Sequence, residues 1–463
     1  MVGTISAGFS RGCARCASVP AVSDASEQAP VEGGSANPAE EASTPAPEAE
    51  AKPRRRRRML GSAMPMDPWL FFAAVALSCM GLVMVYSSSA WLASQSASSW
   101  EYYLYRQAAF FFVGLGVMYG VSRIDYRVLR RFAPQLMIVA LVMLVAVLIF
   151  GREVNGARRW ISLGPVNLQP SELAKAALAI FLAATLARQG QRVRQFKRGF
   201  LPVMAAACLT MLLVQQEKDL GTTILLGALT LTMLYVAGTR ATYVMAAVMI
   251  GLPIVWTRII GVAFRSQRLE EWQSGGGYQV KQGLIAIGSG GLWGTGLGEG
   301  RQKLGHLPEN HTDFIMAAIG EELGLVGVVV MVGLFGLLVW RGLAVACNAQ
   351  CRFGTYLAVG LSTLFGLQAM MNMAVVLNVI PAKGITMPFV SYGGSSLLIS
   401  MASVGLLLSV SRSPEPWAIS DQRGRDRAKG HAGMRKSKGS KKSRDDGPRK
   451  NKRRAPMGAP LPA

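Results

Sequence analysis

Charged residues are scarce in this sequence of 463 residues, and they are scarcest in its middle. Asp, Glu, Lys and Arg make up only 16% of the chain, and about half of them lie near its two ends. Soluble domains carry about 25% charged residues, spread over their whole surface. The composition therefore excludes the two or three soluble domains that this length could otherwise hold. Hydrophobic residues take the place of charge and make up 51% of the chain.

A cysteine framework and a signal sequence are also missing. Cys79 and Cys208 lie inside apolar segments, so the six cysteines do not form a disulfide framework. Cys13 and Cys16 have the spacing of a metal or redox pair, but a zinc site of this kind needs a second pair. Residues 1–58 are rich in Ala, Glu, Pro and Ser and have no apolar stretch. We therefore expect disorder and no cleavable signal peptide there.

Long apolar runs fill the middle of the chain. Each contains 16 to 27 residues, which is the length that an α-helix needs to cross a bilayer. We therefore predict an all-α, polytopic membrane protein with about ten transmembrane helices and a large extracytoplasmic loop. The predicted spans are 69–89, 107–122, 132–150, 171–187, 200–215, 220–238, 241–257, 314–340, 353–379 and 390–410.

Positive charge decides the predicted orientation. Lys and Arg cluster in three short loops, at 123–131, 188–198 and 341–352, which fall on the same side as both ends of the chain. Cytoplasmic loops carry such an excess, so both termini are predicted to be cytoplasmic. The chain is then predicted to contain a disordered tail with a polybasic anchor at 1–67, a ten-helix domain at 68–411 and a disordered basic tail at 412–463.

The two predicted tails are strongly basic. The first contains Arg54–Arg58, and the second has 16 Lys and Arg against 5 Asp and Glu. Such runs are compatible by composition with nucleic-acid binding. Beside membrane helices they are more typical of topology anchors that attract anionic lipid. We therefore predict contact with the membrane and no nucleic-acid partner.

Four connections fall on the opposite, outer face. The longest is rich in glycine, with GSGGLWGTGLGEG at 288–300. A nucleotide-binding glycine motif needs a βαβ unit, and ATP is not available outside the cytoplasm, so we reject that interpretation. The aromatic residues of this connection favour an ordered loop at the membrane interface. The outer connections are 151–170, 216–219, 258–313 and 380–389.

Ionisable residues crowd the end of the longest outer connection. The segment from Lys303 to Asp313 contains one Lys, two His and the acids Glu309 and Asp313, and an apolar helix follows at once. Charge at a membrane boundary is expensive and usually functional, so we place the chemistry at Asp313. The alternative is structural: Thr312 would cap the helix, and the helix dipole would favour a carboxylate at its N-terminus.

Residues of the other outer connections surround this acid. Glu172 and Lys175 are three positions apart, so they meet on one helix face and either neutralise each other or contact a ligand. Trp160 is either an interfacial aromatic residue or part of the site. The candidate cations are Arg159, Lys175, Lys303 and Lys383.

Three further acids are predicted to have structural roles. Asp219 stands at the mouth of the sixth span, and we expect it to cap that helix. Glu321 and Glu322 lie two turns inside the eighth span, and we expect them to pair within the bundle. No cluster of acids, histidines and cysteines has a recognisable metal-ligand spacing, so no metal site is predicted.

Five separate runs of the sequence match the motifs of a known family. They are NGARRWISLG (155–164), QPSELAK (169–175), DLGT (219–222), GYQVKQGLIAIGSGGLWGTGLGEGRQKLGHLPENHTDFI (277–315) and NVIPAKGITMPFVSYGGSS (378–396). In this order they resemble the SEDS family (shape, elongation, division and sporulation) over roughly 68–412. The run MVYSSSA at 84–90 and the N-terminal extension resemble the cell-division branch of the family more than its elongation branch.

The resemblance implies both an activity and a set of residues. Members of the family are ten-helix peptidoglycan glycosyltransferases that polymerise lipid II on the outer face of the bacterial inner membrane. They act with a class B penicillin-binding protein, which is a transpeptidase. Lys218 is one departure, since the family usually has proline there. The family's functional residues correspond in this chain to Arg159, Trp160, Glu172, Lys175, Asp313 and Lys383.

The residues and the resemblance together predict an inverting sugar transfer. Asp313 would accept the proton of a lipid II 4-hydroxyl as it attacks C1 of a sugar on undecaprenyl pyrophosphate, with Glu309 as the reserve base. The candidate cations would stabilise the departing pyrophosphate. A divalent cation, Mg or Mn, at the pyrophosphate is left open.

Other functions compatible with these residues are kept as alternatives. They are a lipid II flippase, an elongation-type polymerase and a non-catalytic division scaffold. The ionisable residues gather at the outer boundary rather than at the midplane of the spans, which favours surface chemistry over transport. The predicted location is the inner membrane at the division septum, with the transpeptidase and other divisome membrane proteins as partners.

Overall fold

Helices form most of the chain that the computed structural model describes. The described residues belong to one compact unit, Met1–Pro414. The predicted tails lie almost wholly outside them, and so do Lys303 and Glu309. The described ranges are 66–95, 100–154, 156–164, 166–302 and 312–412.

Thirteen α-helices and three short strands follow one another in these ranges. The first part of the chain contains α1 (Pro68–Gln95), α2 (Trp100–Arg123), α3 (Tyr126–Phe150), β1 (Arg152–Val154), β2 (Ala157–Leu163), β3 (Val166–Leu168), α4 (Pro170–Gln189), α5 (Leu201–Gln216) and α6 (Leu220–Val236). The second part contains α7 (Ala241–Ile260), α8 (Ala263–Gln273), α9 (Tyr278–Gly290), α10 (Ile315–Glu322), α11 (Gly324–Asn348), α12 (Arg352–Val376) and α13 (Gly394–Ser411).

The predicted membrane bundle is confirmed. Within the described residues, nine helical stretches are at least 18 residues long and apolar enough to cross a membrane. The apolar helix α6, with 17 residues, is a tenth. Each corresponds to one of the ten predicted spans, because helix length and hydropathy are both local properties of the sequence.

Local sequence signals set several of the helix ends. The Asp125 carboxylate accepts a hydrogen bond from the Arg127 amide and caps α3. Pro170 begins α4, where its missing N–H costs nothing. The Asp219 carboxylate accepts a hydrogen bond from the Thr222 amide at 2.9 Å, so its predicted role as the cap of α6 is confirmed.

The helix α4 lies at the centre of the bundle. In its membrane span 78% of the residues are buried, against none in α7. It packs against α3 and α12. Its buried residues include many alanines, and small side chains allow helices to approach closely within a membrane. The end of α4 that carries Glu172 and Lys175 is therefore buried within the bundle.

The predicted span 314–340 is wrong as one continuous helix. It consists of α10 and α11, which meet at Gly324, where φ is +67°. A Cβ at Gly324 would lie 2.6 Å from the Leu292 carbonyl oxygen, so the Gly-rich segment packs directly into the break. The apolar sequence gives no sign of the break except the glycine itself.

Two outer connections contain strands or helices that were not predicted from the sequence. Segment 152–168 forms an antiparallel sheet in the order β1-β2-β3, with Arg152 opposite Trp160. The long connection 258–313 contains α8 and α9 rather than a loop alone. Both additions lie at the end of the bundle where the candidate site is found.

Candidate active site

The four predicted outer connections meet at one end of the bundle. Arg159 Nη2 in β2 donates to the Lys218 carbonyl at 2.8 Å, which joins the sheet to the α5–α6 turn. Arg268 Nη1 in α8 donates to the Ala382 carbonyl at 3.1 Å. Trp272 Nε1 donates to the carbonyl of Asn378 at 2.9 Å. Segments that are far apart in the sequence therefore form one surface around Asp313.

Asp313 lies in a turn immediately before α10. The N-cap of α10 is Phe314, so the predicted cap at Thr312 is wrong. The turn is held through its backbone: Asn372 Nδ2 donates to the Asp313 carbonyl at 2.9 Å, and Ser391 Oγ donates to the Thr312 carbonyl at 2.6 Å. Side chains from two other parts of the chain therefore fix the position of this turn.

Arg159 is the residue of β2 that reaches both Asp313 and the α5–α6 turn. Its Nε donates to the Glu217 carbonyl at 3.1 Å, next to the bond to Lys218 described above. These two bonds orient the planar guanidinium group. A cation held by neutral carbonyl groups keeps its charge available to an anionic ligand.

The Arg159 guanidinium and the Asp313 carboxylate both approach Gly384. A Cβ placed on Gly384 would lie 3.1 Å from Asp313 Oδ2 and 3.8 Å from Arg159 Nη1. Gly384 is exposed, whereas Asp313 and Arg159 are partly buried. The two predicted site residues therefore border one solvent-exposed spot at Gly384.

Further cations come from α8 and from the segment before α13. Burial lowers the pKa of Arg268, and the nearby Asp313 carboxylate opposes this effect. Burial lowers the pKa of Lys383 as well, with Asp219 opposing it and Arg265 adding to it. Arg265 lies within electrostatic reach of Arg159 and Asp219. The structure therefore adds Arg265 and Arg268 to the predicted cations Arg159 and Lys383.

Arg265 and Arg268 are not among the residues predicted from the sequence, because their segment is predicted as part of an ordered loop without helices. The two residues are three positions apart, which places them on one face of a helix. The sequence signal for helix α8 is the stretch AFRSQRLEEWQ. It contains no Gly or Pro, and it is long enough for three turns of helix.

A buried acid, Glu217, also borders the site. Its side chain is 0% exposed, and neither carboxyl oxygen has a hydrogen-bond partner within the described part of the chain. Burial, and then the Asp219 carboxylate, raise the pKa of Glu217 to about 8, while Arg159 lowers it. Glu217 is therefore mostly protonated at neutral pH and adds little negative charge beside Arg159.

Glu172 and Lys175 meet as their spacing predicts. Lys175 Nζ donates to Glu172 Oε1 at 2.8 Å, and both side chains are buried at the start of α4. The same ammonium group donates to Gln368 Oε1 at 3.0 Å. Mutual neutralisation is thus present, and a role of this pair in ligand binding stays a prediction.

Glu321 and Glu322 hold the Gly-rich segment. Glu321 Oε1 accepts hydrogen bonds from the amides of Arg301 and Gln302 at 2.6 and 3.0 Å. Glu322 accepts hydrogen bonds from Ser87 Oγ at 2.6 Å and from the Gly298 amide at 3.2 Å. The predicted pairing inside the bundle is therefore found, and these partners are a hydroxyl and backbone amides.

The remaining predicted residues have different outcomes. Trp160 lies in β2 next to Arg159 and is partly buried. Lys303 and Glu309 lie outside the described residues. The predicted roles of these three residues in substrate binding stay predictions.

The arrangement combines a carboxylate with several cations at a polar rim. A carboxylate held in a fixed turn can accept a proton from a ligand hydroxyl. Buried and half-buried cations stabilise a phosphate-like anion. Within the described ranges, ten apolar helices with such a rim define a polytopic membrane protein that has an acid and several cations at one end of its bundle.

Comparisons with known proteins identify the family. A family described as cell cycle protein, named for FtsW, RodA and SpoVE, matches residues 68–415. The chain is 43% identical over 353 residues to a protein of Geobacter sulfurreducens named probable peptidoglycan glycosyltransferase FtsW, covering 74% of this chain and 95% of that protein. It is 38% identical over 354 residues to stage V sporulation protein E of Bacillus subtilis, covering 75% of this chain and 97% of that protein. The chain belongs to this SEDS family, which confirms the resemblance, and it is FtsW-like.

Solved structures agree with this assignment. One is a chain of a peptidoglycan synthase complex, with a TM-score of 0.63 and 28% identity, covering 75% of this chain and 98% of that one. Another is the rod shape determining protein RodA of Thermus thermophilus, with a TM-score of 0.57 and 29% identity, covering 76% of this chain and 99% of that one. The bundle described above is therefore the fold of this family.

Proposed function

We propose that this SEDS-family glycosyltransferase polymerises lipid II into β-1,4-linked glycan strands on the outer face of the bacterial inner membrane, with Asp313 as general base. The observation that carries the proposal is the meeting of Asp313 and Arg159 at the exposed Gly384. An acceptor hydroxyl can reach the carboxylate there while a diphosphate contacts the guanidinium.

The proposed step is a single displacement at C1 of the donor sugar. The acceptor 4-hydroxyl oxygen forms the new bond to C1, and its proton passes to the Asp313 carboxylate. The bond from C1 to the pyrophosphate oxygen breaks, and its electron pair leaves with undecaprenyl pyrophosphate. A weak neutral nucleophile gains most from a positioned base, which typically contributes 10²- to 10⁴-fold in rate. One carboxylate suffices because the configuration inverts from α to β.

The leaving group carries the negative charge that develops in this step. We propose that Arg159, Arg265, Arg268 and Lys383 stabilise it, with Lys303 as a further cation. Stabilisation of developing charge by fixed cations in a poorly hydrated site is the largest contribution in many enzymes. Lys175 already donates to Glu172 and Gln368, so we propose that it supports the site from inside the bundle.

A divalent cation can assist the same leaving group. In the described ranges, no group of three or more His, Cys, Asp or Glu side chains is placed to hold a metal ion. If Mg²⁺ or Mn²⁺ takes part, we propose that the diphosphate oxygens are its main ligands, as is usual for Mg²⁺.

The proposed setting is the division septum. The FtsW-like character supports it, as does the similarity to a chain of a peptidoglycan synthase complex. We propose a class B penicillin-binding protein as partner and both termini in the cytoplasm, which the basic loops favour.

The test is polymerisation of labelled lipid II by the purified protein with its transpeptidase, compared between wild type and Asp313→Asn. The Asn variant keeps the shape of the side chain but cannot accept the proton. We expect glycan strands from wild type and a loss of at least about 100-fold in the variant. Equal polymerisation by both would disprove the base assignment, and transport of lipid II without glycan formation would favour the flippase.

A further inference from the structure

Two buried amide side chains on α12 contact the segments that form the site. Gln368 and Asn372 are four residues apart, so they stack on one face of the helix. Gln368 is 3% exposed and Asn372 is 1% exposed. Polar side chains inside a membrane bundle are costly unless each has a defined partner, and both amides have one.

Asn372 joins the Asp313 turn to the segment before α13. Its Nδ2 donates to the carbonyl of Asp313 at 2.9 Å and to the carbonyl of Ile385 at 2.7 Å. Its buried Oδ1 has no hydrogen-bond partner within the described residues. The opposite amide orientation would point this oxygen at two carbonyl oxygens, so the double donation fixes the side chain.

The Ile385 side of this clamp is next to the solvent-exposed spot at Gly384. Ile385 follows Gly384, which both Asp313 and Arg159 approach. The Ile385 side chain packs on the first turn of α6, since a Cβ at Gly221 would lie 2.7 Å from Ile385 Cγ1. Asn372 therefore fixes the backbone of the Asp313 turn relative to the backbone at Ile385.

Gln368 lies one helical turn of α12 away from Asn372 and extends the row of polar side chains. Its Nε2 donates to the Thr386 carbonyl at 2.9 Å, and its Oε1 accepts from Lys175 Nζ at 3.0 Å. Thr386 follows Ile385, so the two amide side chains donate to neighbouring carbonyls of the segment before α13. The buried Glu172–Lys175 pair is linked in this way to the Asp313 turn.

Ser391 provides a second, independent support. Its Oγ donates to the Thr312 carbonyl at 2.6 Å and accepts from the Met387 amide at 2.8 Å. The residue before Asp313 and Asp313 itself are thus held by different side chains. Loss of either contact frees one end of the turn while the other remains.

We propose that Asn372 is a positioning residue, which holds the Asp313 carboxylate at Gly384 by clamping the backbone on both sides. This inference rests on the proposed function of Asp313. It assigns no contact of Asn372 with substrate. It accounts for a buried amide that donates two hydrogen bonds and accepts none within the described residues.

The test uses the full-length protein with its transpeptidase and lipid II over a range of concentrations. Asn372→Leu keeps the volume and removes both donors, and it should lower kcat about 10- to 100-fold, as a displaced catalytic group does. KM should stay within about twofold, since substrate contacts are unchanged. Asn372→Gln keeps the donors and should recover part of the lost kcat.

The matched control is Asn348→Leu in α11. Asn348 is exposed and donates to the Ala344 carbonyl of its own helix, far along the chain from the site residues. It should keep the wild-type kcat and KM. Asn372→Ala also removes both donors and should lower kcat as well, which keeps the test decisive if Asn372→Leu does not fold.

The outcomes separate the two proposals. If wild type makes no glycan, the proposed function fails and this inference fails with it. If wild type polymerises lipid II and folded Asn372→Leu or Asn372→Ala has the wild-type kcat, only this inference is wrong. A rise in KM with kcat unchanged would also overturn it, because it would show a role in binding.

Discussion

Arg159 holds the α5–α6 turn through two successive carbonyls, with Nε 3.1 Å from the Glu217 oxygen and Nη2 2.8 Å from the Lys218 oxygen. The geometry is possible because a guanidinium group presents several N–H donors in one plane. A residue of β2 is thereby attached to a turn that is 58 positions away in the sequence. This contact also places Nη1 beside Gly384 and Asp313.

Arg159→Lys should therefore reduce activity although it keeps the charge. The ammonium group cannot hold both carbonyls in one plane, so we expect polymerisation to fall about 10- to 100-fold. Initial rates of glycan formation from lipid II measure the effect. The control is Arg158→Lys, since Arg158 is an exposed neighbour that pairs with Glu153 at 3.6 Å. If Arg159→Lys retained full activity, the two-carbonyl contact would be irrelevant to catalysis.

Gly384→Ala should impair chemistry without unfolding the protein. The new Cβ would lie 3.1 Å from Asp313 Oδ2, so the carboxylate must move by a few tenths of an ångström. Gly384 is not among the glycines with positive φ, so alanine fits its backbone. We expect a loss in kcat of about tenfold with an unchanged melting temperature. Gly336→Ala in α11, where a Cβ meets nothing within 4 Å, is the control and should match wild type.

Lys218 has a left-handed backbone conformation at the α5–α6 turn. Its φ is +61°, which proline cannot adopt because its ring fixes φ near −65°. Lys218→Pro should therefore lower the free energy of unfolding by more than about 1 kcal/mol. Lys218→Gly permits the same φ and should lose less, although it removes the bond from Lys218 Nζ to the Gly156 carbonyl at 2.5 Å. Thermal unfolding in detergent compares the two variants, and equal melting temperatures would contradict the prediction.

Glu217 should make stability depend on pH. Its pKa is raised from 4.5 to about 8 in the folded protein, so between these values the folded state binds more protons than the unfolded chain. Stability should therefore fall as pH rises from about 5 to about 8 and then level off, by an amount on the order of a few kcal/mol. Melting temperatures over this range measure it.

Glu217→Gln provides the comparison for this pH effect. The variant keeps the neutral form at every pH, so its melting temperature should decline less and exceed that of wild type at about pH 8. Glu153→Gln, which changes an exposed acid of β1, should follow the wild-type curve. A wild-type curve that rises with pH over this range would show that Glu217 is ionised when folded.

Several parts of the protein could be predicted from local sequence alone. Hydropathy and length are local, so the ten apolar helices were found, with the split at Gly324 as the main error. Capping by Asp219 and the Glu172–Lys175 contact were also predictable, because they depend on residues three or four positions apart. The motif at Asp313 could be found because charge is unusual beside an apolar run.

The composition of the site depended on contacts between distant segments. Hydropathy does not show that the Arg159 guanidinium ends beside Gly384, nor that α8 brings Arg265 and Arg268 to the same rim. The sequence by itself determined a membrane bundle with an acid at its outer edge, since helix length and charge are encoded locally. Only the tertiary structure decided which cations and amides surround that acid, because side chains that are scores of residues apart meet only when the helices have packed.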